Sequence, residues 1–278
     1  MNKSVYSNVF FRMPRTGPKA VVKTPGKLHK SIAEWSGYVL VLLFATTAIA
    51  QPYVIPTGSM QNTLLVGDHV LVDKLAYSPA GGLARHLLPF DEPKHGDVIV
   101  FRYPPDISQT LVKRLIGAPG DHIRITQGAV YRNGIRLYEP YVIHQPGYVA
   151  ALDNFPGACC LPVAQPEARE RQREMLERNV VNGELIVPPG MYFAMGDNRD
   201  DSSDSRYWGF VPRDSLMGKP FLVYWSYDAS TQDLMGQSAG SVIAHAIDLG
   251  EHFFTRTRWS RTLRVVRGVP DDVTERAN

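Results

Sequence analysis

The sequence predicts a mainly β body carried behind a single N-terminal transmembrane helix. Three observations predict it. One uncharged apolar stretch lies near the N-terminus, and short apolar or alternating runs bounded by Gly, Pro and Asp follow it. The formal charge of +3 also divides unevenly along the 278 residues. Residues 1–35 carry seven basic side chains against Glu34, residues 36–255 carry 17 basic and 23 acidic ones, and residues 256–278 carry six Arg against three acids. The pI near 8.8 is therefore an average over unlike segments. An acidic body with basic ends argues against a nucleic-acid partner.

The chain is long enough to bury a full core in one large domain or two small ones. Gly and Pro, 23 and 21 residues, follow no Gly-X-Y period, which excludes a collagenous chain. Two adjacent Cys, Cys159 and Cys160, exclude a disulfide-stapled mini-scaffold and a cysteine zinc site. No His-x-x-x-His pair is present, and no metal or cofactor is expected.

In chain order, residues 1–34 read as a basic cytoplasmic tail. Residues 35–54 read as the membrane anchor, since Trp35 to Ile55 gives about 20 uncharged residues, roughly the span of a bilayer core. Trp35, Tyr38 and Tyr53 sit near its ends, where amphipathic rings favour the headgroup level. The basic residues before it place the N-terminus in the cytoplasm and the body on the outer face. Ala48-Ile49-Ala50 also resembles a signal cleavage site, but the preceding basic region is far longer than a signal n-region. His69–Lys74, Asp97–Tyr103, Thr110–Ile116 and Phe221–Trp225 read as strands. His122–Leu137 reads as a hairpin turning at Asn133-Gly134, and Glu184–Val187 with Met191–Met195 as strand, turn, strand. Glu167–Arg178, rich in Glu and Arg, reads as a solvated helix or flexible insertion with pairs such as Glu167–Arg171 and Glu170–Arg173. Arg256, Arg258, Arg261, Arg264 and Arg267 with Trp259 read either as a contact for anionic headgroups or as a surface charge run.

Three segments carry chemistry. Ser59 follows Pro56-Thr57-Gly58, where Gly permits a close backbone approach and Pro stiffens the entry. Lys113 lies between Leu111 and Leu115 on one face of a predicted strand, with Val112, Arg114 and Ile116 on the other. Such a Lys either snorkels to water or is desolvated; desolvated, it becomes a base for a Ser nucleophile without any His. Gly196 to Arg206 is dense in Asp and Arg. An EF-hand frame from Asp197 fails at Arg199, Ser202 and Trp208, and the alternation suits an ion-pair network.

Five stretches in order resemble the bacterial type I signal peptidases, or leader peptidases. They are Pro56–Met60, Gly67–Val72, Gly96–Arg102, Lys113–Asp121 and Gly196–Asp200 continuing through Ser205–Val211. The resemblance implies an antiparallel β-sheet catalytic domain over 55–123 and 185–227, an inserted smaller β domain over 124–184, and a C-terminal extension over 228–278. It implies a membrane serine endopeptidase of the bacterial cytoplasmic membrane that cuts signal peptides from secreted preproteins after Ala-x-Ala. Ser59 would be the nucleophile and Lys113 the general base, with Ser59 N–H and the Thr57 hydroxyl as oxyanion hole. Ser202 would orient Lys113, and Asp197, Asp204 and Arg206 would support the loop. Tyr53, Ile55, Met60, Leu64, Val70, Val100, Leu111 and Val112 would form shallow pockets for small side chains.

The chain departs from the family where Leu111 stands in place of a frequent Tyr and Gln61-Asn62 in place of an apolar-Pro pair. Two rivals make different demands. A self-cleaving repressor-type Ser-Lys protease would need a DNA-binding domain, and residues 1–55 offer the reverse. A tethered β domain that only binds a partner would make Ser59 and Lys113 incidental. The oligomeric state is left open.

Overall fold

The computed structural model describes residues 27–44, 49–77, 91–144, 153–157, 165–236 and 238–269. The basic tail before Lys27, Ala48 of the small-x-small site and Cys159-Cys160 lie outside them. The chain divides into two units, Met1–Leu43 and Phe44–Asn278. Helix α1, Lys27–Phe44, belongs to the first except for its last residue. Among the described residues no helix is long and apolar enough to cross a membrane.

The apolar run expected to form one helix over 35–54 is divided. It is helical to Phe44, and Ala50–Val54 forms strand β1. The reason is local: Pro52 cannot continue a helix, and an edge strand tolerates it. Tyr53 and Val54 favour strand as well.

The second unit holds two antiparallel sheets. Strands β1, β2 (Asp68–Asp73), β3 (Val98–Arg102) and β4 (Thr110–Gly117) belong to the larger one. Strands β5 (His122–Thr126), β6 (Ala129–Arg132) and β7 (Ile135–Arg136) form the smaller one with β8 (Val180–Val181) and β9 (Glu184–Ile186). Strands β10 (Met191–Met195), β11 (Val211–Pro212), β12 (Leu216–Ser226) and β13 (Arg264–Val265) return to the larger sheet. Its order is β1-β2-β12-β3-β4-β10-β11, with β13 also on β12. The smaller order is β7-β6-β5-β9-β8.

The β6–β7 turn is Asn133-Gly134, both at positive φ (54° and 80°), as a two-residue hairpin matched to strand twist requires. Strands β9 and β10, adjacent in sequence, part into different sheets across the turn at Gly190. The Glu/Arg-rich segment is helix α2, Pro166–Asn179. Its charged residues pair at the surface, as in Arg173–Glu170 at 2.7 Å and Arg178–Glu174 at 2.6 Å. It is not simply solvated: Ala168, Gln172 and Met175 are buried. Gln172 donates to the Arg206 carbonyl at 2.6 Å, bringing α2 against the loop of interest.

The core has three clusters. One lies within the smaller sheet around Ile123, Val130 and Leu185 and reaches Phe193. A second surrounds Trp208 with Phe101, Leu115 and Ala194. The third holds Ile55, Met60, Leu64, Val70 and Val100. Strand β4 contributes to all three, through Ile116, Leu115 and Val112.

The C-terminal segment is built into the body. After the short helix α3 (Ser205–Trp208) and β12 come α4 (Thr231–Met235) and α5 (Ala239–Arg256). Two of the five arginines expected at the surface instead turn inward. Arg261 pairs with fully buried Asp68 at 2.5 Å and donates to the Thr63 carbonyl at 3.1 Å. Arg258 donates to the Val66 and Tyr227 carbonyls. The carbonyls of a tight loop need donors once water is gone, and guanidinium groups supply several at fixed angles.

Removing one partner of a buried pair strands the other charge. Arg261→Ala is therefore expected to lower the unfolding free energy by about 3–5 kcal/mol in urea denaturation. Arg264→Ala, on an exposed residue, should change it by less than about 0.5 kcal/mol.

Candidate active site

Strand β1 delivers the chain into a tight turn at Gly58–Met60, closed by Gln61 N–H donating to the Gly58 carbonyl at 3.0 Å. Met60 is buried and pins the turn, which leaves Ser59 half-buried and Thr57 exposed. Across from it, β4 brings in Lys113, only 3% exposed, and its Nζ lies 2.6 Å from Ser59 Oγ. Of the two fates open to a Lys between leucines, the structure has the desolvated one.

Burial lowers the Lys113 pKa from its ordinary 10.5 to about 8. Asp204, Asp197 and Asp201 oppose the shift and Arg206 assists it. The two buried carboxylates are already paired. Asp197 accepts from Arg114 Nε at 2.8 Å and Nη2 at 2.7 Å, and from Thr63 Oγ1 at 2.5 Å. Asp204 accepts from Arg206 Nε and Nη2, both at 2.8 Å, and from Gly196 N–H at 3.0 Å. Burial pushes the Asp204 carboxyl up, but Arg206, the Gly196 N–H and Lys113 outweigh it, so its pKa is lowered. Paired with guanidinium groups, these carboxylates do not form an ion pair with the amine.

The loop after β10 is held against the serine turn through its backbone. Asn198 N–H donates to the Ser59 carbonyl at 3.1 Å. A Cβ on Gly196 would lie 2.6 Å from the Ser59 carbonyl and overlap Ser202, so only Gly fits there.

The chain from the smaller sheet also reaches the site, which the sequence reading missed. Ile143 N–H donates to the Asp197 carbonyl at 2.9 Å and the Ile143 carbonyl accepts from Arg199 N–H at 3.2 Å. Glu139 pairs with buried Arg199, and the Tyr141 ring lies 3.8 Å from the Arg114 guanidinium carbon. Arg114 and Arg199 stood inside the recognised motifs; Glu139 and Tyr141 had no sequence signal.

The other expected residues divide. Ile55, Met60, Leu64, Val70 and Val100 pack in one cluster, with Tyr53 and Val112 against its side. Leu111 packs instead with the Trp208 cluster. Adjacent strand residues point to opposite faces, so Leu111 and Val112 do not share a wall. Ser202 Oγ is buried and has no hydrogen-bond partner, so the expected bond to Lys113 is not made here. Asn62 takes a positive φ of 89° and donates to the Tyr141 carbonyl at 3.2 Å, which is how the turn accommodates Gln61-Asn62.

A serine beside a buried amine, backed by Asp–Arg pairs, narrows the choice of family. The model of the signal peptidase family, peptidase S26, matches residues 29–225. The chain belongs to this family. It is similar to the signal peptidase I of Pseudomonas aeruginosa, 36% identical over 203 residues that cover 68% of this chain and 69% of that one. It is similar also to the signal peptidase I of Aquifex aeolicus, 33% identical over 229 residues, 72% of this chain and 85% of that one. A solved signal peptidase I from Enterococcus faecalis is 33% identical, covers 47% of this chain and 98% of its own, and gives a TM-score of 0.34. The chain is thus a serine endopeptidase that removes signal peptides.

In this signal peptidase the buried amine opposes folding. A Lys that is charged when unfolded below pH 10.5, but charged when folded only below about 8, destabilises the fold fully below pH 8. The penalty shrinks between those values and vanishes above them. Its size, at about 1.4 kcal/mol per tenfold change, is on the order of 3 kcal/mol. Lys113→Met is therefore expected to be more stable than wild type at pH 7, the gap closing toward pH 10.5 when chemical denaturation is repeated across pH.

Gly196→Ala is expected to fold with a displaced Ser59 turn and to lose about 10²-fold or more in kcat, since a misplacement near 1 Å costs that much. An unchanged kcat would contradict the close approach.

Proposed function

We propose that Ser59 and Lys113 are the catalytic dyad of this peptidase. The observation that carries the proposal is the 2.6 Å approach of a 3% exposed amine to Ser59 Oγ. With the amine neutral, the Ser59 hydroxyl donates to Nζ and its oxygen attacks the scissile carbonyl carbon. The hydroxyl proton passes to Lys113. The tetrahedral oxygen accepts hydrogen bonds from the Ser59 N–H and the exposed Thr57 hydroxyl. Lys113 then gives its proton to the departing amine as the C–N bond breaks. Water attacks the acyl-serine ester as Lys113 takes its proton, and Lys113 returns that proton to Ser59 Oγ as the ester C–O bond breaks.

Ser202 is the group we assign to hold a further Lys113 proton, since its buried oxygen is unsatisfied and buried polar atoms seek partners. Asp197, Asp204 and Arg206 act as supports, consistent with their mutual pairing.

Selectivity for small side chains follows from packing. Ile55, Met60, Leu64, Val70 and Val100 are at most 4% exposed, so they line no deep pocket. Tyr53 and Val112, half-buried beside them, offer shallow depressions suited to Ala. We assign Ala-x-Ala sites in secreted preproteins as substrates on that basis.

The enzyme is assigned to the bacterial cytoplasmic membrane, N-terminus inside and body outside. The seven basic residues before the uncharged Trp35–Ile55 stretch, and the exposed Trp35 and Tyr38–Leu43 side chains within it, support the anchor. The nucleophile follows Ala50 by nine residues, about 30 Å at full extension, which keeps it near a substrate in the same bilayer. Cleavage after Ala50 would forfeit that proximity.

Wild type should cut a preprotein with an Ala-x-Ala site, while Ser59→Ala and Lys113→Ala, both folded, should lose about 10³-fold or more in kcat. Cleavage by Lys113→Ala would refute the base assignment. The wild-type rate should rise about tenfold per pH unit below about 8 and level above it. A flat profile from about pH 5 to 9 would contradict an amine base.

A further inference from the structure

Helix α5 lies beyond residue 225, outside the part of the chain matched by the family model, and its two faces are reversed. At 100° per residue, Val242, Ile243, Ile247, Phe253 and Phe254 fall in one arc without a charged side chain. A surface helix ordinarily turns that stripe inward. Here the polar stripe faces the body. Asp248 accepts from the Tyr227 hydroxyl at 2.7 Å and from Arg256 at 2.7 Å, and His245 meets the Tyr227 ring edge-on at 6.1 Å. The apolar stripe is left outward: Val242 and Ile243 are each 60% exposed, Ile247 56% and Phe254 78%.

The stripe continues onto the sheet. Phe254 stacks on exposed Trp259 at 6.3 Å, and Phe253 stacks on Trp225 at 5.9 Å. Trp225 pairs across β12 and β2 with His69, and His69 with Val54 of β1. Ser59 follows Val54 by five residues. One apolar band therefore runs from α5 to the end of the sheet that leads into the serine turn.

We infer that α5 and Trp259 form an interfacial element that lies in a lipid surface. An apolar arc opposed by a polar one is the pattern of a helix in the headgroup region. The exposed cations Arg264 and Arg267 follow Trp259 in the chain, and anionic headgroups complement them. A second copy of the chain would set these cations against cations. The inference does not depend on the dyad assignment.

The test uses the full chain in nanodiscs of phosphatidylethanolamine and phosphatidylglycerol, with Cys159 and Cys160 replaced by Ser. A fluorophore is placed at Ile247→Cys or, for reference on the other side of the helix, at His252→Cys. A doxyl-labelled lipid should quench the Ile247 probe several-fold more than the His252 probe, and aqueous iodide the reverse. Equal quenching of both probes, or an Ile247 probe open to iodide, would overturn the inference. So would an Ile247 probe shielded from both quenchers with two chains crosslinking through that position, the mark of a dimer face. Ile243→Asp with Ile247→Asp should slow cleavage of a nanodisc-inserted preprotein about tenfold or more, while a soluble peptide in detergent is cut as before. Unchanged cleavage in nanodiscs would count against it. Quenching needs no activity, so failure of the dyad would leave this readout intact.

Discussion

A lysine amine kept out of water beside a serine hydroxyl is the interaction on which the other features depend. Burial alone pushes Lys113 toward the neutral form, but three aspartates lie close enough to pull it back. The structure resolves the conflict by giving the two buried carboxylates guanidinium partners. Arg114 takes Asp197 through two hydrogen bonds and Arg206 takes Asp204 likewise. A forked guanidinium matches a carboxylate in a way an ammonium does not, so the pairs form among themselves. The amine is left with the serine.

That arrangement is a poor source of stability. Buried ion pairs roughly break even against their desolvation, and the amine itself opposes folding. What the pairs supply is register. Asp204 fixes Gly196, Gly196 lies against Ser59, and Asn198 ties the same loop to the Ser59 carbonyl. Glu139, Tyr141 and Ile143 clamp the outside of that loop through Arg199, Arg114 and the Asp197 backbone. Residues arriving from the smaller sheet thus help to position a turn that follows the first strand of the larger one.

Much of this was legible in the sequence, and the gaps have physical causes. The strands after Gly67 carry period-two patterns with turn residues between them, so their extents follow locally; Asn133-Gly134 marked its hairpin for the same reason. The apolar run ending in β1 deceived because hydropathy does not register Pro52. Leu111 was grouped with Val112 through family likeness, although strand alternation separates them. Arg258 and Arg261 read as surface charges because their partners, Asp68 and the carbonyls of Thr63 and Val66, are about 190 residues away. Glu139 and Tyr141 escaped notice because a clamp of two residues has no period.

The C-terminal arginines complete the constraint on the serine. The loop from Ile55 to Gly67 closes on itself, with Gly67 N–H donating to the Ile55 carbonyl at 2.9 Å, but its interior carbonyls at Thr63 and Val66 find no strand partner. Arg261 and Arg258 meet them, and Asp68 holds Arg261 in place. On the other side, Thr63 donates its hydroxyl to Asp197, the partner of Arg114. The serine turn is therefore gripped between two buried Arg–Asp pairs, Arg261–Asp68 and Arg114–Asp197. Loosening either frees the same short loop. The C-terminal extension is half of the frame that holds the proposed nucleophile against its base.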